Sequence, residues 1–376
     1  MFKTSWSRAA AWRSARHHLT RRAPAGSLVA VASRICGLHA QLLSSAELSV
    51  WARVEKLDRG AVQRALWQER TLIKTWAMRG TLHLLPAVEL PMWHGGLAAS
   101  RRYHREKAWK KHFGITLDDL DRVSDAIAAA LEGRVLTREE LWREVGKLIR
   151  SPRLAAKLGA SSWGTVLKPA AFSGRLCFGP SVGARVQFTH PRTWIASPRP
   201  LDDAEVAGPA IARRFLAAYG PASVLDLARW WGGPMAGARR WLAALGDELT
   251  PVEVDGAPAF LLSADAPALR EPAPRSVRLL PAFDPYVLGA SAHAEELLPD
   301  GLRGKVFRPQ GWISPVLLVN GRMEGTWRHE QKGSRVAVTV EPFGGRPVAA
   351  VRRAAGEEAE RLADFLGGTV DVAWTS

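Results

Sequence analysis

The chain has 376 residues, 47% of them hydrophobic, which is more than one core organises, so two to four domains are expected. No apolar run reaches the roughly 18 uncharged residues that span a bilayer. The basic start (Lys3, Arg8, Arg13, Arg16, Arg21, Arg22) lacks the apolar stretch and cleavage site of a secretory leader, so no membrane association is expected. Cys36 and Cys177 are the only cysteines, which suits a reducing, cytoplasmic setting and leaves no cysteine-based metal site. A net charge of +16 asks for an anionic partner. Only 11 of the 52 basic residues are lysine, and planar guanidinium groups suit phosphate, so nucleic acid comes first. An acidic protein or membrane surface, or a GC-rich genome's composition, are the other sources of such a charge.

Residues 1–26 carry no sustained period and read as a basic lead-in, mobile or helical. Leu28, Val31, Ala32 and Ile35 then recur at helical spacing, and Gly37 stands where a left-handed cap would end that helix. Ser44-Ser45-Ala46-Glu47 reads as a capping box for a second helix carrying Leu48, Trp51, Ala52 and Val54. Between them lies Gly37-Leu38-His39-Ala40-Gln41. In an extended link, residues two apart share a side, so His39 and Gln41 face one point and Leu38 and Ala40 turn away. Two readings stay open: satisfied polar groups at a helix junction, or a pair that acts together.

Asp58 can cap a third helix through Ala61, Leu66 and Trp67. The β-rich runs Thr71–Met78 and Thr81–Leu85 pivot on Arg79-Gly80 as a hairpin. Three helices followed by a hairpin is the order of a winged helix, here 27–114, which closes on a basic helical stretch with Arg101, Arg102, Lys110 and Lys111. The order repeats over 115–198. Thr116 caps a helix to about Leu131 stopped by Gly133, Thr137–Glu140 is a capping box for a helix to Ile149, and a helix over 162–172 precedes a hairpin of Arg175–Phe178 and Ala184–Phe188. A third copy, 199–274, has helices near Asp202–Ala218, Ser223–Trp231 and Met235–Leu245 and a hairpin turning at Asp255-Gly256. From 275 to 376 strands dominate, with a hairpin at Asn320-Gly321, a late helix near Glu357–Leu366 and a closing strand. The fold class expected is α+β: three tandem winged-helix domains followed by a C-terminal β-rich domain.

Motifs for metal, phosphate-loop, dinucleotide or hydrolase-elbow chemistry are missing, so no cofactor and no metal are expected. Three stretches carry a resemblance: Thr75-Trp76-Ala77-Met78-Arg79-Gly80-Thr81-Leu82-His83-Leu84-Leu85-Pro86, Gly37–Gln41, and Leu279-Leu280-Pro281-Ala282-Phe283-Asp284-Pro285-Tyr286. Together they resemble the AlkZ-type bacterial DNA glycosylases over roughly residues 25–376. The resemblance implies tandem winged helices and excision of bulky alkylated purines, notably guanines modified at N7, interstrand crosslinks included, in self-resistance to genotoxic natural products. The family's catalytic Gln-x-Gln or Gln-x-Asp motif falls on His39 and Gln41, with His in place of the first Gln. N7 alkylation already charges the leaving base, so no acid is needed to protonate it. A neutral His39 can take the proton of a water that Gln41 orients.

The partner expected is duplex DNA carrying alkylated guanine, bound by a nucleoid-associated monomer. Candidate contacts are Arg79 at the hairpin bend, His83 in its strand, Arg101, Arg102, Lys110 and Lys111, and Arg175 and Arg185 flanking the second wing. For each a plainer role competes: a strand histidine, an internal ion pair, a solvated basic face. Trp163 and Trp327 are candidates for a lesion cavity, and Asp284 reads as a turn or capping residue. The alternative function is a non-catalytic winged-helix DNA-binding regulator, and a third is sequestration of the adduct without turnover.

Overall fold

Helix ends in this chain are written by side chains. In the computed structural model, which describes residues 2–100, 111, 114, 116–151, 154, 166–270, 275–345 and 347–375, three capping boxes are complete, at Thr116, Thr137 and Ser223. The Thr116 hydroxyl accepts from the Asp119 amide at 3.1 Å and opens the helix Leu117–Leu131. Thr137 and Glu140 do the same for Arg138–Ile149. The end of α2, Leu28–Arg34, falls one residue before the glycine expected to cap it: Cys36 (φ 62) takes the left-handed position, its amide donating to the Ser33 carbonyl at 3.2 Å, and the Gly37 amide donates to the Ala32 carbonyl at 2.7 Å. Ser44-Ser45-Ala46-Glu47 is not a cap. The helix α3 runs Leu43–Trp51 and starts from an extended Leu42, so both serines lie in its first turn.

The chain separates into two compact units, Met1–Val62 with Ala212–Trp230 and Ala238–Ser376, and Gln63–Ile211 with Trp231–Gly237. In the first, a five-stranded sheet has the spatial order Val277–Leu280, Val316–Val319, Arg322–Lys332, Arg335–Pro342, Thr369–Trp374. The first three pairings are antiparallel and the last is parallel, joined by the helix Ala349–Leu366. That helix begins eight residues earlier than the sequence suggested, because the Ala-rich stretch after Pro347-Val348 is itself a good helix former. Val336, Val338 and Val340, buried at every second position, meet Ala355, Ala359 and Leu362 of the helix in one core with Trp51, Leu279, Phe283 and Tyr286. Asn320 (φ 51) and Gly321 (φ 84) turn a two-residue hairpin. A Cβ on Gly321 would stand 2.6 Å from the Ala10 carbonyl oxygen, so only glycine fits there.

The N-terminus is folded into this unit. Phe2–Thr4 pairs in parallel with Leu249–Val254, itself the first strand of a hairpin with Ala257–Leu262. The helix α1, Trp6–Arg16, buries Ala9 and Trp12 against Val252, Val254 and Leu261. Two of its arginines and one beyond it are used internally. Arg13 donates to the Gly220 and Pro221 carbonyls, Arg16 pairs with Asp265, and Arg22 just beyond the helix pairs with Glu358.

In the second unit, Leu72–Trp76 and Leu82–Pro86 form a hairpin whose bend takes Arg79 (φ 55) and Gly80 (φ 70) into left-handed conformations. Val135–Thr137, Arg185–Thr189 and Cys177–Val182 form a three-stranded antiparallel sheet in that order. Trp76, Phe178 and Phe188 join the two hairpins in one aromatic cluster, with centroids 4.8 Å (Trp76–Phe178) and 5.1 Å (Phe178–Phe188) apart. Helices Ala204–Tyr219, Val224–Trp231 and Met235–Ala243 precede the Asp255-Gly256 turn in the order expected. The chain is a mixed α/β protein.

Candidate functional site

The link after Gly37 is extended, with Leu38–His39 as a two-residue strand. Leu38 and Ala40 are fully buried. Gln41 is exposed, so the link runs outward from a buried ring to an amide in solvent. His39 itself is only 5% exposed. Its imidazole stacks on Phe283, ring centroids 5.0 Å apart and planes within 17°. A stacked neighbour covers the face of an imidazole and leaves both ring nitrogens, which bond in the ring plane, to other partners.

Phe283 is held there by backbone. It adopts φ 58, a left-handed conformation that a phenylalanine takes only when its surroundings over-determine it. The next residue supplies the constraint. Asp284, fully buried, accepts two hydrogen bonds from Arg53, Nη2 to Oδ1 and Nη1 to Oδ2, each 2.7 Å, and Arg53 is fully buried too. Arg53 Nη1 also donates to the Ser49 carbonyl at 2.9 Å, which locks the guanidinium to α3. The Asp284 Oδ1 accepts from the Tyr286 amide at 2.9 Å and caps the helix Pro285–Gly289, and the Tyr286 hydroxyl donates to the Gly321 carbonyl at 2.8 Å. Asp284 is therefore the capping residue its Phe-Asp-Pro-Tyr context suggested, and an ion-pair anchor besides. On its other side Phe283 meets Trp312 edge to face, 5.0 Å and 73°.

A cavity of about 310 Å³ lies in the same unit, walled by Ser44, Ser45, Leu48, Pro281, Ala282 and Trp327. Trp327 is a wall and a core residue, with its indole N–H donating to the Leu280 carbonyl at 2.7 Å. Trp163 lies outside the described residues, as do Arg101, Arg102 and Lys110. Lys111 is exposed. Arg185 is exposed at the tip of the second hairpin. Arg175 is half-buried and pairs with Asp125 at 2.9 Å. Arg79 is half-buried at its bend, with its backbone close-packed on Gly232, where a Cβ would meet the Arg79 Cα at 2.8 Å. His83 lies in its strand as expected, but at 2% exposure, with its Nδ1 sharing a hydrogen with the Thr81 carbonyl at 3.0 Å, it is placed as the plain strand histidine and not as the DNA contact expected.

Sequence reasoning missed Arg53, Phe283 as a stacking partner, and Trp312. One signal was present for Arg53, a lone cation inside the apolar run Val50-Trp51-Ala52-Arg53-Val54. Of the described residues, no three His, Cys, Asp or Glu side chains gather as a metal set, and no helix is long and apolar enough to cross a membrane.

A family model described as DNA glycosylase AlkZ-like matches residues 32–365, a span that includes His39, Gln41, Arg53 and Phe283-Asp284. The chain is 38% identical to the interstrand DNA cross-link repair glycosylase of Streptomyces sahachiroi over 366 residues, 94% of this chain and 95% of that protein. Its fold superposes on the solved structure of the Streptomyces sahachiroi DNA glycosylase AlkZ with a TM-score of 0.89 at 36% identity, covering all of both chains. The reading as a non-catalytic regulator gives way to an enzyme, and the chain belongs to the AlkZ-like family of DNA glycosylases.

Proposed function

We propose that this glycosylase hydrolyses the N-glycosidic bond of bulky N7-alkylguanine adducts or interstrand crosslinks in duplex DNA, in self-resistance to a genotoxic natural product, with His39 as base and Gln41 as the residue that orients water. One observation carries the reading: the imidazole of His39 is stacked in a fixed plane at the inner end of a link whose outer end, Gln41, reaches solvent. The crosslink as substrate comes from the name of the Streptomyces relative.

The chemistry asked of these residues is small. N7 alkylation leaves the guanine cationic, so when the C1′–N9 bond breaks its electron pair neutralises the departing base. An oxocarbenium-like sugar remains. Water adds its oxygen to C1′ and gives a proton to the imidazole, while the amide of Gln41 holds the water on the open face of the sugar. A crosslinked guanine resists extrusion, and a water held by the solvent-facing amide of Gln41 suits attack with little flipping.

The scaffold proposed for this chemistry is the tandem one, winged helices over 27–114, 115–198 and 199–274 after a lead-in of 1–26, followed by the β-rich 275–376. It is supported by the capped helices and hairpins described above. Arg79, Arg101, Arg102, Lys110, Lys111, Arg175 and Arg185 are the proposed DNA contacts, and the protein acts as a nucleoid-associated monomer. The test is single-turnover release of N7-alkylguanine by His39→Ala and Gln41→Ala with DNA binding measured alongside. Both variants should lose about 10²-fold or more in rate with affinity retained. Wild-type rates in both would overturn the assignment.

A further inference from the structure

Trp312 is 41% exposed, and among the described residues it is the most solvent-exposed of the Phe, Tyr and Trp side chains. A single exposed apolar residue is ordinary, so exposure alone argues nothing. Its mounting is not ordinary. Residues 306–314 form a tight loop closed by a bridge between Phe307 and Ile313 and by the Ser314 amide on the Val306 carbonyl at 2.9 Å. The Arg308 amide donates to the Trp312 carbonyl at 2.9 Å, and the turn is made by two successive left-handed residues, Gln310 (φ 61) and Gly311 (φ 76). It is the two-residue turn also made by Asn320 and Gly321, and with the closing hydrogen bonds it fixes where the Trp312 side chain leaves the loop. What Trp312 is aimed at is Phe283, at 5.0 Å, and Phe283 in turn stacks on His39 at 5.0 Å. Two ring contacts thus separate a solvent-facing indole from the candidate base, a span of no more than about three base steps of DNA. Arg308, exposed and without an ion pair among the described residues, stands at the base of the same turn.

A rigid indole, dry on one side and wet on the other, is the side chain that stacks on a flat π system. We propose that Trp312 is a substrate-contacting residue that stacks on the flat face of the adducted nucleotide, either the guanine or the polycycle attached to it, and so sets the preference for damaged over undamaged DNA. This rests on placing the reaction at His39 and Gln41. It is a claim about binding, however, and it stands or falls apart from the rate measurements on those two residues.

The test compares affinities for an undamaged duplex, a duplex with N7-methylguanine and a duplex with a polycyclic N7 adduct. The adducted nucleotide carries a 2′-fluorine, which resists hydrolysis. Trp312→Ala and Trp312→Leu should reduce the preference for adducted DNA about tenfold or more, while Trp312→Phe retains most of it. The leucine variant keeps an apolar contact with Phe283, so it separates stacking from plugging. Equal losses on both adducts place the indole on guanine, and a loss confined to the polycycle places it on the appendage. A wild-type preference in Trp312→Leu overturns the proposal. So does an equal loss of affinity for damaged and undamaged DNA, or a phenylalanine variant no better than leucine.

Discussion

Two bidentate arginine–carboxylate pairs in this protein have nearly the same geometry and opposite surroundings. Arg53 and Asp284 meet at 2.7 Å twice with neither side chain exposed, and Arg213 and Glu248 meet at 2.6 Å twice with both about half exposed. The first sits one residue from the ring that stacks on His39, and the second joins a helix to a turn at the surface. Geometry alone does not distinguish them. The environment does, because a charge taken out of water depends wholly on its partner, whereas a solvated one keeps its hydration when the partner leaves.

Removing one buried partner gives the largest effect. Asp284→Ala leaves the Arg53 guanidinium uncompensated and should cost about 3–5 kcal/mol in urea or thermal unfolding. The paired replacement Arg53→Met with Asp284→Leu sharpens the point. It should restore most of that stability, since well-packed apolar side chains often replace a buried pair at little cost. The excision rate should stay low, because nothing then holds Phe283 on His39. Recovery of rate together with stability would show that the pair serves the fold alone.

His94 offers the contrasting case of a buried polar group with neither ring nitrogen hydrogen-bonded among the described residues, beside a cavity of about 340 Å³ in the second unit. Burial lowers its pKa to about 4. As pH falls below about 6.5 the unfolded chain takes up a proton that the folded chain refuses, so stability drops between about 6.5 and 4 and then levels, by about 3 kcal/mol in all. His94→Leu should flatten that slope in a pH series of urea midpoints and cost little at pH 7, because it removes a polar group that made no bond. His17, which burial also holds well below the ordinary histidine range, leaves a residual slope in the variant.

Much of this contrast was readable from letters and some was not. The capped helices at Thr116 and Thr137, the turns at Asp255-Gly256 and Asn320-Gly321, and the extended backbone of the link all follow from local chemistry that sequence records. Burial of His39 against Phe283 does not, since the two are far apart in sequence and only the packed fold brings them together. The partners of the N-terminal cations were hidden for the same reason: Arg13, Arg16 and Arg22 stand in a stretch that reads only as a basic lead-in, yet each finds its acceptor beyond residue 216. His83 was ambiguous in sequence, and strand burial decided it.

A smaller effect isolates the strain at Phe283. Both Phe283→Ala and Phe283→Gly remove the ring, and both should slow excision by roughly 10²-fold if the stack fixes the imidazole plane. Glycine is normally the less stable of the two, yet at φ 58 it should be the more stable by about 1 kcal/mol, because alanine keeps the left-handed penalty. The usual order of the two in unfolding experiments would mean that Phe283 relaxes out of this conformation once its ring is gone. Its backbone would then be shaped by the stack on His39 rather than by Asp284.

The exposed pair completes the comparison at its quiet end. Arg213 holds the Glu248 carboxyl below the usual glutamate range by hydrogen bonding, and Glu248 raises the Arg213 guanidinium in return. Both groups keep their water, so Glu248→Gln should leave the melting temperature unmoved at moderate salt and the excision rate unchanged. If Glu248→Gln instead destabilised as Asp284→Ala does, the surface pair would be carrying a constraint that its solvent exposure does not explain. The difference between the two arginines would then lie in what each pair ties together: a strained residue beside the candidate base in one case, and in the other the helix Ala204–Tyr219 to the turn before Leu249–Val254.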